Sequence, residues 1–195
     1  MSEDEPHFET EAIRTQVPAS AEREHSVPLF LTSSFVFDDA EQARALFADE
    51  IAGNIYSRYS NPNTDELVRK LCRLEGAEDG IATASGMAAG YVALASLLKT
   101  GDHILAGRAL FGSTHQILTR IFPRVGITHS YADADAPERW ESLFQANTRL
   151  VFIETPSNPG LDLIDIEWLS ALCRARGVPL LVDNCFATPY LQRPL

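Results

Sequence analysis

From about residue 80 the chain repeats one unit: a short apolar run, a turn, then a stretch with helical spacing. Gly80-Ile-Ala-Thr-Ala84 reads as a strand. Ser85 to Leu98 reads as a helix with Met87, Tyr91, Leu94 and Leu98 on one face. The pattern continues with strands at His103–Ala106, Ile127–Tyr131, Leu150–Glu154 and Pro179–Asp183, and helices at Ser113–Phe122, Pro137–Gln145 and Ile166–Arg176. Leu150-Val-Phe-Ile and Leu180-Leu-Val are apolar at every position, which is how strands covered on both faces read. Such repetition restricts the fold to α/β, with a mostly parallel sheet, right-handed crossovers, and ligands gathered beyond the carboxyl ends of the strands.

Before this region the text is different. Thr64 to Leu74 has Leu67, Leu71 and Leu74 on one helical face, and Gly76 closes it. Residues 1–62 show weak periodicity, broken by Pro6, Pro18, Pro28 and Pro62, with an extended piece at Ser33–Phe37 and a helix at Ala40–Asp49 capped by Asp38 or Asp39. The expected organisation is an arm, residues 1–62, followed by a larger domain, residues 63–195.

Composition narrows the function classes. Among 195 residues, 16 are basic and 27 acidic, a net charge of −11 that disfavours general nucleic-acid binding. The longest apolar stretch, Met87–Leu98, is too short to span a bilayer, and the acidic start, Met1-Ser-Glu-Asp-Glu5, does not read as a secretion signal. Cys72, Cys173 and Cys185 form no paired framework, which suits a reducing compartment. The expectation is a soluble, cytoplasmic protein with neither nucleic-acid nor membrane partners. His7, His25, His103, His115 and His129 have no metal-ligand spacing.

Four segments could carry chemistry. Ser85-Gly86-Met87 opens a helix after a strand, so Ser85 can cap it while backbone N–H groups meet an anion; an ordinary N-cap is the alternative. Asp183 ends a buried strand and needs a cationic partner, either a pyridinium nitrogen or an arginine. Glu154-Thr-Pro-Ser-Asn158-Pro159 is a stiff loop presenting an amide suited to a phenolate-like oxygen, or simply a helix-entry turn. Tyr56 and Arg58, two apart in an extended segment, point the same way and could grip one phosphate, if they are not a solvated loop. Cys185 follows the Asp183-Asn184 pair and could sit near the site, though a small buried filler is the favoured reading. No G-x-G-x-x-G or Walker glycine pattern is present, which demotes a Rossmann-type nucleotide binder.

In this order, Tyr56-Ser-Arg58-x-x-Asn-Pro62, Ala84-Ser-Gly-Met87, Glu154-x-Pro-Ser-Asn158-Pro159 and Val182-Asp-Asn184-x-Phe-x-Thr-Pro189 resemble the Cys/Met-metabolism family of pyridoxal-phosphate enzymes. The resemblance implies an aminotransferase-like large domain of fold type I, incomplete in this chain, and pyridoxal 5′-phosphate as cofactor. It implies that Ser85, Gly86 and Met87 cradle the phosphate and that Tyr56 and Arg58 are lent to a partner subunit's phosphate. It further implies that Asp183 faces the pyridine nitrogen, Asn158 the ring hydroxyl oxygen, and Glu154 the substrate. Phe111 stands where many relatives carry a tyrosine stacked over the ring, keeping the stack but losing the hydroxyl. Leu110-Phe-Gly-Ser-Thr-His115 and Asp183-Asn-Cys-Phe-Ala-Thr188 are most similar to members that exchange the succinate of O-succinylhomoserine for sulfide, giving homocysteine for methionine biosynthesis.

Other activities of the same family remain open: cystathionine formation, O-acetylhomoserine sulfhydrylation and methionine γ-elimination. The resemblance also implies a homotetramer built from dimers. The family's coenzyme-binding lysine, in a Ser-x-Thr-Lys motif, is expected beyond Leu195, and so is its small C-terminal domain. Lys70 and Lys99, the two lysines present, lie far from the strand ends and are no substitutes. The 195-residue chain is accordingly expected to be inactive by itself, and a non-catalytic interaction module is the reading from another class.

Overall fold

The computed structural model describes residues 6–195. The acidic start, Met1 to Glu5, lies outside the described residues. The chain divides into two units, one running to Ala82 and including Leu195, the other spanning Thr83–Pro194. The division falls later than residue 62, because helix α3 (Pro62–Glu75) is tied to the segments before it.

The first unit also holds α1 (Phe8–Arg14) and α2 (Ala40–Phe47). Arg73 on α3 pairs with Glu11 on α1 at 2.6 Å. Two asparagines at the start of α3 anchor the preceding chain. The Asn61 side-chain oxygen caps the helix by accepting from the Asn63 N–H, while its Nδ2 donates to the Phe30 carbonyl at 3.0 Å. Asn63 bonds the Phe30 N–H and the Pro28 carbonyl, each at 2.8 Å. Gly76 ends α3 in the left-handed conformation at φ 79°, which a residue with a Cβ adopts only at a cost. Ser34 forms an isolated antiparallel bridge with Tyr56, so the extended reading of Ser33–Phe37 is realised over one pair.

Gly80–Ala84, expected as a strand, is not one. It pairs with no strand among the described residues, and Ile81 is 87% exposed. An apolar run supplies strand propensity, but a strand exists only when a neighbour takes its backbone hydrogen bonds.

The second unit is a parallel sheet in the order β2-β1-β3-β4, made of β1 (His103–Gly107), β2 (Thr128–Ala132), β3 (Thr148–Glu154) and β4 (Leu180–Asp183). Alternate side chains divide between two cores. Ile104, Ala106, Leu150 and Phe152 pack with Leu94 of α4 (Gly86–Leu97) and with Ile117, Leu118 and Phe122. Leu105, Val151 and Ile153 face Trp140 of α6 (Pro137–Leu143) and Leu169 and Cys173 of α7 (Ile166–Arg176). The helix expected at Ser113–Phe122 is α5 (Gly112–Gln116) running into a π-helical turn (Ile117–Ile121) and a 3-10 turn (Phe122–Val125). Pro123 lacks the N–H that would continue an α-helical ladder there. A final turn of helix, α8 (Thr188–Leu191), has too little periodicity to be read in advance. No helix among the described residues is long and apolar enough to cross a membrane.

Candidate functional site

The sheet places its own crevice. From β1 the chain crosses to β2 on one side, then returns past β1 to β3 on the other. Loops leaving β1 and β3 therefore diverge, and the gap beyond their carboxyl ends is where open α/β sheets take ligands. A cavity of about 610 Å³ lies there, wholly within the second unit.

Its walls bring together residues far apart in sequence. Ser85, Gly86 and Met87 come from the start of α4, Phe111 from the loop after β1, Glu154 and Asn158 from the end of β3, and Asp183 and Cys185 from the end of β4. The Ser85 hydroxyl accepts the Ala88 N–H at 3.1 Å, and its carbonyl accepts that of Ala89. The N–H groups of Gly86 and Met87 are thus the open donors of a 12-residue helix, with the positive end of its dipole behind them. A Cβ built on Gly86 would meet nothing within 4 Å, so the approach is open. Phe111 is 42% exposed, enough ring to cover a planar ligand.

Two carboxylates stand side by side, for Glu154 and Asp183 are register partners on adjacent strands. Their circumstances differ. Glu154 is 5% exposed, and each of its oxygens is occupied: Oε2 accepts the Phe111 N–H at 2.6 Å and Oε1 the Asn158 N–H at 2.7 Å. Burial pushes its pKa up, the two N–H groups pull it back, and Asp183 adds a further push upward. Asp183 is half-buried and accepts the Cys185 N–H at 3.1 Å. None of the ion pairs among the described residues involves it, so the arginine partner weighed for Asp183 is not realised.

The cavity lining contains no lysine, arginine or histidine. A wall with two carboxylates and no cation, opposite open helical N–H groups, suits a ligand that is cationic at one end and anionic at the other. Pyridoxal phosphate has that polarity along its ring. The donor set fits it: an acceptor for a ring N–H, an amide, an aromatic face and a phosphate end.

Two expectations are corrected. Cys185 is exposed and lines the cavity rather than filling a core; partial burial and the nearby carboxylates push its thiol up to about 11. Tyr56 and Arg58, in the first unit, do not lie in an extended run. The Tyr56 carbonyl accepts the N–H groups of Tyr59 and Ser60, closing a turn, and the Arg58 guanidinium sits 5.5 Å and 5.1 Å from the Tyr56 and Tyr59 ring centroids. The extended reading failed because Ser60 and Asn61 favour turns and caps over strand.

Sequence reasoning missed the lock behind the cavity. Gln192 Nε2 donates to the Thr155 carbonyl at 2.7 Å and to Asn184 Oδ1 at 2.8 Å, while Asn184 Nδ2 donates to the Gln192 carbonyl at 2.8 Å. Lone polar residues carry no periodic signal, so only the folded chain reveals that network. No cluster able to hold a metal occurs among the described residues.

Comparison with known proteins places this geometry. A family model described as Cys/Met metabolism PLP-dependent enzyme matches residues 9–195. An O-succinylhomoserine sulfhydrylase of Pseudomonas aeruginosa is 45% identical over 188 residues, 96% of this chain and 47% of that protein. An L-methionine gamma-lyase of Fusobacterium nucleatum subsp. nucleatum is 42% identical over 171 residues, 87% of this chain and 43% of that protein. Among solved structures, a putative O-acetylhomoserine (thiol)-lyase from Campylobacter jejuni, containing N′-pyridoxyl-lysine-5′-monophosphate, superposes with a TM-score of 0.92 at 33% identity. It covers 97% of this chain and 47% of the other. The chain thus spans about half the length of the curated relatives it matches. With the match running through the arm, the sheet and every wall of the cavity, the chain belongs to the Cys/Met metabolism family of PLP-dependent enzymes.

Proposed function

We propose that this chain forms the coenzyme-binding part of a cytoplasmic pyridoxal-phosphate enzyme that replaces the γ-substituent of O-succinylhomoserine with sulfide, producing homocysteine and succinate. The observation that carries the reading is the one cavity lined by the open N–H groups of α4, the Phe111 ring, Asn158 and the Asp183 carboxylate, which is in none of the ion pairs among the described residues. The sulfhydrylase assignment is supported by 45% identity to the Pseudomonas aeruginosa protein. Methionine γ-elimination is the second reading, supported by 42% identity to the Fusobacterium nucleatum enzyme.

The roles follow from chemistry. When bound, pyridoxal phosphate would supply an electron sink for removal of the substrate's α- and β-protons and departure of its γ-substituent. Asp183 holds a proton on the ring nitrogen by accepting it in a hydrogen bond, which keeps the ring cationic. The Gly86 and Met87 N–H groups and the α4 dipole hold the phosphate. Asn158 donates its side-chain amide to the ring oxygen, and the Phe111 ring excludes water from one face. Tyr56 and Arg58 reach the phosphate of a second subunit in a homo-oligomer, a tetramer of paired dimers.

Lys70 is occupied with Glu66 at 3.2 Å. Lys99 follows the far end of α4, roughly 18 Å along the axis from Ser85 for twelve residues at about 1.5 Å each. Neither serves as the covalent anchor, so the 195-residue chain binds the coenzyme without covalent attachment and turns nothing over.

The test is a titration of the purified chain with pyridoxal 5′-phosphate, pyridoxal and NAD, read by thermal shift and by absorbance after borohydride treatment. Stabilisation by pyridoxal 5′-phosphate alone, with no trapped adduct on Lys70 or Lys99, is expected. A larger shift with NAD would overturn the reading. Extending the reading frame past the Leu195 codon and assaying the product with O-succinylhomoserine plus sulfide, and with methionine, decides between sulfhydrylase and lyase.

A further inference from the structure

Glu154 has a geometry unlike a substrate contact. Its carboxylate is buried, and its two oxygens each accept a backbone N–H from a different loop: Phe111, after β1, at 2.6 Å, and Asn158, after β3, at 2.7 Å. These are charge-assisted bonds at the short end of the N–H···O range. The two residues so held are the cavity's aromatic face and its amide donor. A carboxylate does this more strongly than a single backbone carbonyl, because it offers a separate charged oxygen to each donor.

We infer that Glu154 is a positioning residue, which sets the Phe111 ring and the Asn158 amide as one unit by anchoring both loops on a single carboxylate. Its bearing on the coenzyme rests on the reading of the cavity given above; the anchoring itself does not. The alternative assignment, a group that contacts substrate, calls for an accessible oxygen, whereas Glu154 is 5% exposed and each of its oxygens already accepts a backbone N–H. The titratable groups facing Glu154 are Asp183 beside it on β4 and Cys185 beyond that strand.

Amide proton shifts of the ¹⁵N-labelled 195-residue chain, followed from pH 4 to pH 9 without any ligand, test the anchoring. The Phe111 and Asn158 amides are expected far downfield, moving together with one midpoint above the usual carboxylate range. The Asp183→Asn variant should keep the two amides moving together, at a lower midpoint because the neighbouring charge that pushes Glu154 up is gone, and Glu154→Gln should abolish the shared titration. Unrelated midpoints in the wild-type chain, or a midpoint that vanishes with Asp183→Asn instead, would overturn the inference. Because the wild-type measurement needs no variant, misfolding of Glu154→Gln leaves the test intact.

A second arm addresses function. Glu154→Gln should weaken pyridoxal 5′-phosphate binding at least fivefold. A variant of similar thermal stability with its lesion outside the cavity, Leu169→Val, should bind as the wild type does. Equal affinity of wild type and Glu154→Gln would refute a positioning role even if the amides co-titrate. Should the wild-type chain bind no pyridoxal phosphate, the coenzyme reading fails while the amides still report on the clamp.

Discussion

Side chains with the same chemistry behave differently in this chain because their surroundings differ, and the carboxylate pair at the ends of β3 and β4 is the sharpest instance. Glu154 is spent on backbone N–H groups, whereas Asp183 accepts a single one and keeps the capacity to hold a cation. Replacing Asp183 by Asn removes the charge but little volume. We expect pyridoxal 5′-phosphate affinity to fall at least tenfold, about 1.4 kcal/mol, with the thermal midpoint of the free chain unchanged within error. Isothermal titration and a melt on the same preparation check both halves. Cys185 makes a second residue-scale case. Its thiol is exposed yet held near 11, so the thiolate fraction at pH 8 is on the order of 0.1% against roughly a quarter for an ordinary cysteine. Peptide-resolved iodoacetamide labelling should show Cys185 reacting on the order of tenfold more slowly than a free thiol at pH 8, the greater nucleophilicity of a high-pKa thiolate offsetting part of its scarcity. Fast labelling at that pH would contradict the environment described.

At the scale of elements, His103 ties three strands. From β1 its Nδ1 pairs with the Thr148 hydroxyl of β3 at 2.8 Å and its Nε2 with the Ser130 hydroxyl of β2 at 3.0 Å. Burial lowers its pKa, and His129 nearby lowers it further. The native state therefore favours the neutral ring. Its contribution to stability is present in full above the unfolded pKa of about 6.5 and is lost as pH falls below that value. Urea midpoints should drop between pH 7 and pH 5, and His103→Leu should flatten that slope while lowering stability overall. The N-cap of α4 is a local device by comparison: Ser85→Ala removes one bond to the Ala88 N–H and should cost about 1 kcal/mol in chemical denaturation. That cap, the Gly76 stop and the α7 boundaries were all legible, because caps and 3.6-residue spacing act over a single turn. The π-helical turn was not, since Ile117 and Leu118 satisfy α-helical spacing equally well and only their packing against β1 and β3 selects the wider turn.

Across the whole molecule, large apolar side chains stay uncovered. Val36 is 98% exposed and Ile81 87%, and α4, which carries no charged residue, leaves Val92 and Leu97 half in solvent. An uncharged helix ordinarily lies inside a larger core, and extended exposed apolar surface is where proteins in general pack against other polypeptide. We expect the isolated chain to bind an apolar dye such as ANS and to sediment as species larger than a monomer at tens of micromolar. Val36→Ser together with Ile81→Ser should reduce both effects. A monodisperse, dye-silent monomer would argue that these residues are covered some other way.

The amino-acid sequence by itself determined most of the strand–helix repetition, the order of the elements and the positions just after the strands that line the cavity. These depend on periodicity, capping and turn chemistry, which operate between residues a few positions apart. Only the tertiary structure decided which strands are neighbours, that Gly80–Ala84 has none, that Tyr56 and Arg58 sit in a turn, and that both oxygens of Glu154 are taken. The strand neighbours and the Phe111 bond to Glu154 depend on partners many residues away, which leave no mark in the local pattern, whereas the Tyr56 turn and the Asn158 bond span three or four residues, where turn and extended conformations compete closely.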